Sequence, residues 1–270
     1  MRVRTILVGT DLTEQGDQAI LRGHQIATAN EAKLVVCHVG PGHVGSHPLF
    51  PQRHQDDVVS AANVEERIAE AVSLRAAEVT GRNPEQFDVV VDHGDVAAIL
   101  TEQASRVGAD LVVVMADRSE PDGAGTVTRD LARLSPCSVF VVGKGSGTGV
   151  AVVALEDEVA LVPALVSAAR SMLASLPSKI DVVLFVSNRE MSASRLTERI
   201  RDQGVPMGVD LVPWFAQIGD TSLLTRAVDD AKLGLVVMAA PVPDDLAAAT
   251  SSPLDDALSA IQSSVLLLRN

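Results

Sequence analysis

The chain has 270 residues, a mass of 28.3 kDa, a formal net charge of -13 and only 2 % aromatic residues. Such an acidic surface repels phosphate backbones, so neither nucleic acid nor an anionic membrane is an expected partner. The length suits two domains of ordinary size, and no apolar run approaches the roughly 20 residues of a membrane span.

Val3 to Val8 reads as the first strand, with Gly9-Thr10-Asp11 as the turn at its carboxyl end. The first strand starts within the opening residues and no signal-like apolar stretch precedes it, so a cytoplasmic location is expected. Asp11 to Asn30 has Ala19, Ile20, His24 and Ala27 at helical spacing. Leu34 to Val39 is the second strand. Gly40 to Arg53, rich in Pro and Gly, is a loop before a helix from about Val58 to Val79. Phe87 to Val91 is the third strand, and Asp95 is a cap for the helix that ends near Val107. Leu111 to Met115 is the fourth strand. A polar loop, a helix from about Val127 to Leu134 and a fifth strand from Cys137 to Val142 complete the first half.

Gly143 to Gly149 reads GKGSGTG, a flexible joint. Beyond it the pattern recurs. The predicted strands are Val150–Leu155, Val182–Val186, Val209–Val212, Leu235–Met238 and Val265–Leu268, and the helices are Leu161–Ser175, Ala193–Asp202 and one capped by Asp220 that runs to Ala231. Ser252-Pro253-Leu254-Asp255 is a further helix start, with a hydroxyl cap, Pro at the first position and an acid two residues on. The Gly94-Asp95 step returns as Gly219-Asp220, and LVVVM at Leu111 returns as LVVM at Leu235. A repeat of this length marks two copies of one domain. Alternating strands and helices imply right-handed crossovers. The expected fold is therefore α/β: two copies of a doubly wound five-stranded parallel sheet with helices on both faces, over residues 1–143 and 149–270.

In such sheets ligands bind beyond the carboxyl ends of the strands. In the first copy Asp11, the end of the second strand at Val39, and the loop from Ala116 to Thr126 all fall there. Gly123 and Gly125 permit close backbone approach. The Thr126 hydroxyl and the helical N–H groups beside it suit a phosphate, and the Asp11 carboxylate suits a ribose hydroxyl or a base amine. By spacing alone, Asp11 and Thr126 serve equally well as helix caps and the glycines as turn residues.

Thr5-Ile6-Leu7-Val8-Gly9-Thr10-Asp11 resembles the opening of the universal stress protein family. So do Gly108-Ala109-Asp110-Leu111-Val112-Val113-Val114-Met115, Gly125-Thr126-Val127 and Pro136-Cys137-Ser138-Val139. The resemblance covers the first half well and the second more faintly, as in a tandem protein. It implies a stress-response role, domains paired through their last strands as a pseudo-dimer, association into homodimers, and, in one branch, ATP binding. That branch holds the nucleotide at positions matched by Asp11, by Val39 and by a loop of pattern Gly, two residues, Gly, nine residues, Gly, Ser or Thr. Here Ala116 and Ser119 stand at the first two glycine positions, and only five residues separate Ser119 from Gly125. Asp117, Glu120 and Asp122 oppose Arg118 in this loop, so a triphosphate needs a metal such as Mg²⁺ between. The resemblance thus implies a binding or interaction module with weak or vestigial adenine-nucleotide binding, of ATP or AMP, at Asp11, Val39, Ala116, Gly123, Gly125 and Thr126. The alternative is an ATP-binding protein with slow ATPase or phosphoryl-transfer activity. An electron-transfer flavoprotein subunit shares a related core but requires redox features absent from this sequence.

In the second half Glu156 stands for the aspartate, and Ala239 to Ser251 holds no glycine, so no triphosphate site is expected there. No catalytic residue and no metal site is predicted. His43, His47 and His54 lie in or beside one polar loop without a fixed geometry, and His38 and His93 fall at sheet ends near the crevice. Trp214 and Phe215 end the third strand of the second copy as packing residues or as the wall of a pocket. The chain lacks G-x-S-x-G, C-x-x-C, the P-loop and the spaced glycines of dinucleotide binders, so it carries no signature of a dedicated hydrolase or dehydrogenase. Cys37 and Cys137, both in apolar strands, read as buried thiols.

Overall fold

The computed structural model describes residues 2–41, 61–116, 126–145, 147–155, 157–173, 177–186, 198–200, 202, 209–217, 233–240 and 263–269. They form two compact units, one of Val3–Met115 with Leu134–Cys137, the other of Ala116–Arg133 with Ser138–Asn270 and the first two residues.

The first unit holds β1 (Thr5–Thr10), α1 (Glu14–Asn30), β2 (Lys33–Gly40), α2 (Ala61–Thr80), β3 (Asp88–His93), α3 (Val96–Val107) and β4 (Leu111–Met115). Its strands are all parallel, in the order β3-β2-β1-β4. Uninterrupted apolar runs make these strands, and Ile6, Leu7, Val8, Val36, Val112 and Val113 have no exposed surface. Val8 and Gly9 are consecutive, so they face opposite sides of the sheet. A Cβ on Gly23 of α1 would lie 2.3 Å from Val8 Cγ2, and one on Gly9 would lie 3.0 Å from Leu100 Cδ1 of α3. Helices α1 and α3 therefore cover opposite faces.

Gly108 and Asp110 have structural roles. Gly108 ends α3 with φ 64°, a left-handed conformation that suits glycine. The Asp110 carboxylate accepts from the N–H groups of Arg4 (2.8 Å) and Thr5 (3.0 Å), which fixes where β1 begins against β4. Asp95 caps α3 as expected, its carboxylate accepting from Ala98 N at 2.8 Å.

Several boundaries differ from expectation. Helix α1 begins at Glu14, because Thr13 is its cap and accepts from Gly16 N, so Asp11 lies in the loop before it. Gly23 is buried in α1 and His24 is only half-buried, because the helix approaches the sheet too closely for a side chain there. Phe87 closes a one-turn 3₁₀ helix by donating to Pro84 O, which delays β3 to Asp88. Cys137 precedes its strand and is half-buried, whereas Cys37 is fully buried.

The second unit holds α4 (Thr126–Leu134), whose last residue belongs to the first, then β5 (Ser138–Val142), β6 (Gly149–Leu155), α5 (Val162–Met172), β7 (Lys179–Val186), β8 (Asp210–Gln217), β9 (Leu233–Ala239) and β10 (Ser264–Leu268). Strands β8-β7-β6-β9-β10 are parallel and repeat the order of the first unit. Strand β5 runs antiparallel on β10, with Phe140 opposite Leu266. Around that pair the bonding is reciprocal. Ser264, which opens β10, accepts from Gly143 N just after β5; Ser138, which opens β5, accepts from Arg269 N just after β10, both at 3.2 Å.

Strand β8 runs past the predicted Val212 to Gln217, because every residue from Asp210 on pairs with β7. It forms an edge of the sheet, where the missing N–H of Pro213 is tolerated. Trp214 lies on this strand, exposed, and its ring N–H donates to Asp181 at 2.9 Å. Strand β7 starts at Lys179 and α5 spans Val162–Met172, preceded by a 3₁₀ turn at Val159–Leu161. Asp220, Glu156, Ser252-Pro253, the three loop histidines and most of Ala193–Asp202 lie outside the described residues.

Candidate functional site

Asp11 stands on the short turn between β1, which ends at Thr10, and α1, which begins at Glu14. Its Oδ1 accepts from the backbone N–H of Thr13 at 3.0 Å and from the Thr13 hydroxyl at 2.7 Å. The residue is exposed, and no second partner engages Oδ2 among the described residues. This is a carboxylate oriented by its neighbours with one oxygen available to solvent. The turn is shaped around it. Leu12 adopts φ 62°, uncommon for a side chain with a Cβ, and donates its N–H to Thr10 Oγ1 at 3.1 Å. Gly16 leaves the necessary space: a Cβ there would lie 2.5 Å from Asp11 Oδ1 and 2.8 Å from Thr10 Oγ1. The sequence alone does not single out Thr13 or Gly16. The hydroxyl of Thr13 just before a helical run was the available signal.

Behind Asp11, His38 is 5 % exposed and its Nδ1 lies 2.9 Å from Thr10 O. A carbonyl only accepts, so Nδ1 carries the proton. Burial lowers the His38 pKa and His93 adds to this, while the Thr10 carbonyl and Asp11 oppose it. The imidazole is thus held neutral as a strut for the β1 turn. In the parallel register His38 pairs with Val91 and Gly40 with His93, so His38 and His93 share a face of the sheet. The buried Nε2 of His93 has no hydrogen-bond partner among the described residues. Val39 is half-buried near the end of β2, opposite Asp92. The Asp92 carboxylate accepts from His93 N (2.8 Å) and Gln103 Nε2 (3.0 Å).

Cys37 lies one strand position from this edge. Burial first, and then Asp92, push its thiol up to about 12 from an ordinary 9.0. At pH 8 that leaves on the order of one thiolate in ten thousand, against about one in ten for an ordinary thiol. Native protein treated with iodoacetamide at pH 8 should therefore leave Cys37 unmodified, while unfolded protein is labelled readily. Rapid labelling of Cys37 in the folded chain, read by peptide mass spectrometry, would contradict this placement.

The remaining predicted residues fall in the second unit or outside the described residues. Ala116 is buried and donates its N–H to Val142 O at 3.0 Å. Thr126 is exposed and is the first residue of α4, one position earlier than expected. Two residues on, the Thr128 side chain is 1 % exposed and its hydroxyl makes no hydrogen bond among the described residues. Such a group in the first turn is where a bound water or anion would be satisfied. Gly123 and Gly125 lie outside the described residues. The structure thus brings Asp11 and Val39 into one unit and Ala116 and Thr126 into the other. Among the described residues no group of three or more His, Cys, Asp or Glu forms a metal site, and no helix is long and apolar enough to cross a membrane.

Residues 2–143 match the universal stress protein family. Among solved structures, a candidate universal stress protein of Pseudomonas aeruginosa is 15 % identical, with a TM-score of 0.66 over 99 % of this chain and 93 % of that one. A universal stress protein of Archaeoglobus fulgidus is 13 % identical, with a TM-score of 0.62 over 98 % and 96 %. These two likenesses concern the fold. A universal stress protein in complex with cAMP is 26 % identical over 53 % of this chain and 98 % of its own, with a TM-score of 0.39. No curated protein matches the chain significantly. With more than half of its length matched by the family, the chain belongs to the universal stress protein family.

Proposed function

We propose that this chain is a tandem universal stress protein whose repeats, 1–143 and 149–270, pair through β5 and β10, and that it acts in the cytoplasm as a binding or interaction module. Its first repeat takes an adenine nucleotide weakly, at Asp11, Val39, Ala116, Gly123, Gly125 and Thr126. The observation that carries the nucleotide reading is Asp11: Thr13 holds one carboxylate oxygen and leaves the other exposed at the carboxyl end of β1. A ribose diol or a base amine donates to such an oxygen. The buried Thr128 hydroxyl in the first turn of α4, without a hydrogen-bond partner among the described residues, supports a phosphate at that helix start. Weak binding follows from the shortened loop and its three carboxylates, Asp117, Glu120 and Asp122, which favour the nucleotide only with Mg²⁺ to offset their charge.

The test is identification of small molecules released from denatured protein by mass spectrometry, followed by calorimetric titration with ATP and AMP, with and without Mg²⁺. Asp11→Ala should weaken binding by roughly tenfold or more, the effect of losing a hydrogen bond to a charged group. Asp95→Ala is the control. It removes the α3 cap and about 1 kcal/mol of stability but touches no proposed ligand position. Wild-type protein that binds neither nucleotide at millimolar concentration would leave only the interaction module. Release of phosphate from ATP would instead support the slow ATPase.

A further inference from the structure

The end of the second repeat reaches the helix on which the proposed phosphate position of the first depends. Arg269 follows β10, and its Nη2 donates to Ala132 O at 2.8 Å and to Arg133 O at 3.2 Å, two carbonyls in the last turn of α4. Its backbone N–H donates to Ser138 Oγ at 3.2 Å, so the residue is anchored at both ends. Gly143, at the matching place after β5, makes the equivalent backbone bond to Ser264 but has no side chain with which to do the same. The backbone bonds are reciprocal and the side-chain clamp is not.

We infer that Arg269 is a positioning residue through which the second repeat tunes nucleotide binding at the start of α4. The inference rests on the nucleotide reading above. Helix α4 has nine residues, too short to be stable by itself, so its geometry depends on what holds it. Thr128, Leu131 and Ala132 anchor its buried face, and Arg269 satisfies carbonyls that a helix end leaves without internal partners. The guanidinium also places positive charge at the carboxyl end of the helix dipole. A phosphate at the amino end complements the opposite pole of the same dipole. Removing the clamp frays the helix from its far end and disorders the N–H groups at Thr126. Divergence of the second repeat away from the nucleotide pattern then has a function: it supplies the clamp rather than a second site.

The experiment compares wild type, Arg269→Met and Arg269→Lys with the control Ser263→Ala, which loses the buried bond from Ser263 Oγ to Leu233 O (2.6 Å) in the same unit. ATP affinity is read by calorimetry and protection of residues 126–134 by hydrogen exchange, with melting temperature as the measure of general destabilisation. Arg269→Met should weaken ATP by roughly tenfold and speed exchange across α4, while β9 keeps its protection. Arg269→Lys, still cationic and long enough to reach the carbonyls, should recover most of both. Ser263→Ala should lower the melting temperature without changing affinity. Unchanged affinity in Arg269→Met, or an equal loss in Ser263→Ala, would overturn the inference. If wild type binds no ATP, the nucleotide reading and this inference fall together, and unchanged α4 exchange in Arg269→Met would remove the clamp by itself.

Discussion

Phe140→Ala is expected to destabilise the protein by about 3–5 kcal/mol, the usual cost of deleting a buried aromatic ring. The ring is fully buried at the centre of β5, directly opposite Leu266 of β10. The loss is a large share of the roughly 5–15 kcal/mol that holds a typical domain together. Urea denaturation monitored by circular dichroism measures it as a shift in midpoint at constant slope. Phe140→Leu keeps most of the volume and should cost much less. A loss below 1 kcal/mol for the alanine variant would show that the β5–β10 seam contributes little to folding.

Gly234→Ala should be nearly as damaging for a different reason. Gly234 lies in β9 where the register with β6 slips, so that Gly149 pairs with Leu233 and Val150 with Leu235. A Cβ at this position would fall 1.9 Å from Gly147 O and 2.8 Å from Gly147 C. The obstacle is backbone, which cannot rotate aside as a side chain does. Overpacking typically costs 1–3 kcal/mol, and the rigidity of the obstacle places this variant at the top of that range or about 1 kcal/mol above it. The same denaturation experiment reads the effect, and a Gly234→Ala protein as stable as wild type would mean that Gly147 moves away without cost. The contact also revises the reading of GKGSGTG. At least Gly147 in this joint is packed against a strand.

The regular elements were largely legible, because apolar periodicity and capping residues are local signals. Strands β1, β2 and β4 carry unbroken Val and Leu runs, and Asp95 caps α3 as its position before the helix predicts. Elements whose limits depend on a partner were not. Strand β8 continues through Pro213 to Gln217 because β7 pairs with it, and Pro213, which cannot donate to a ladder, gives no sign of a strand. Helix α1 begins three residues later than the apolar pattern suggests, since Thr13 takes the cap and releases Asp11 for display. For the proposed site, Asp11, Val39 and Thr126 are marked by their place beyond the carboxyl ends of the strands and by the family resemblance, whereas Gly16 and Leu12 beside Asp11 are not. What they contribute is space and backbone geometry, which residue type alone does not report.

By itself, then, the amino-acid order determined the alternation of strands and helices, their duplication and the presence of an aspartate after the first strand. Each of these follows from side-chain chemistry acting over a few neighbouring residues. Only the tertiary structure decided which glycines mark close approach, at Gly16, Gly23 and Gly234, and that Arg269 ends on the carbonyls of α4. Those outcomes depend on distances between segments far apart in the chain, and such distances exist only once the strands have chosen their partners and register.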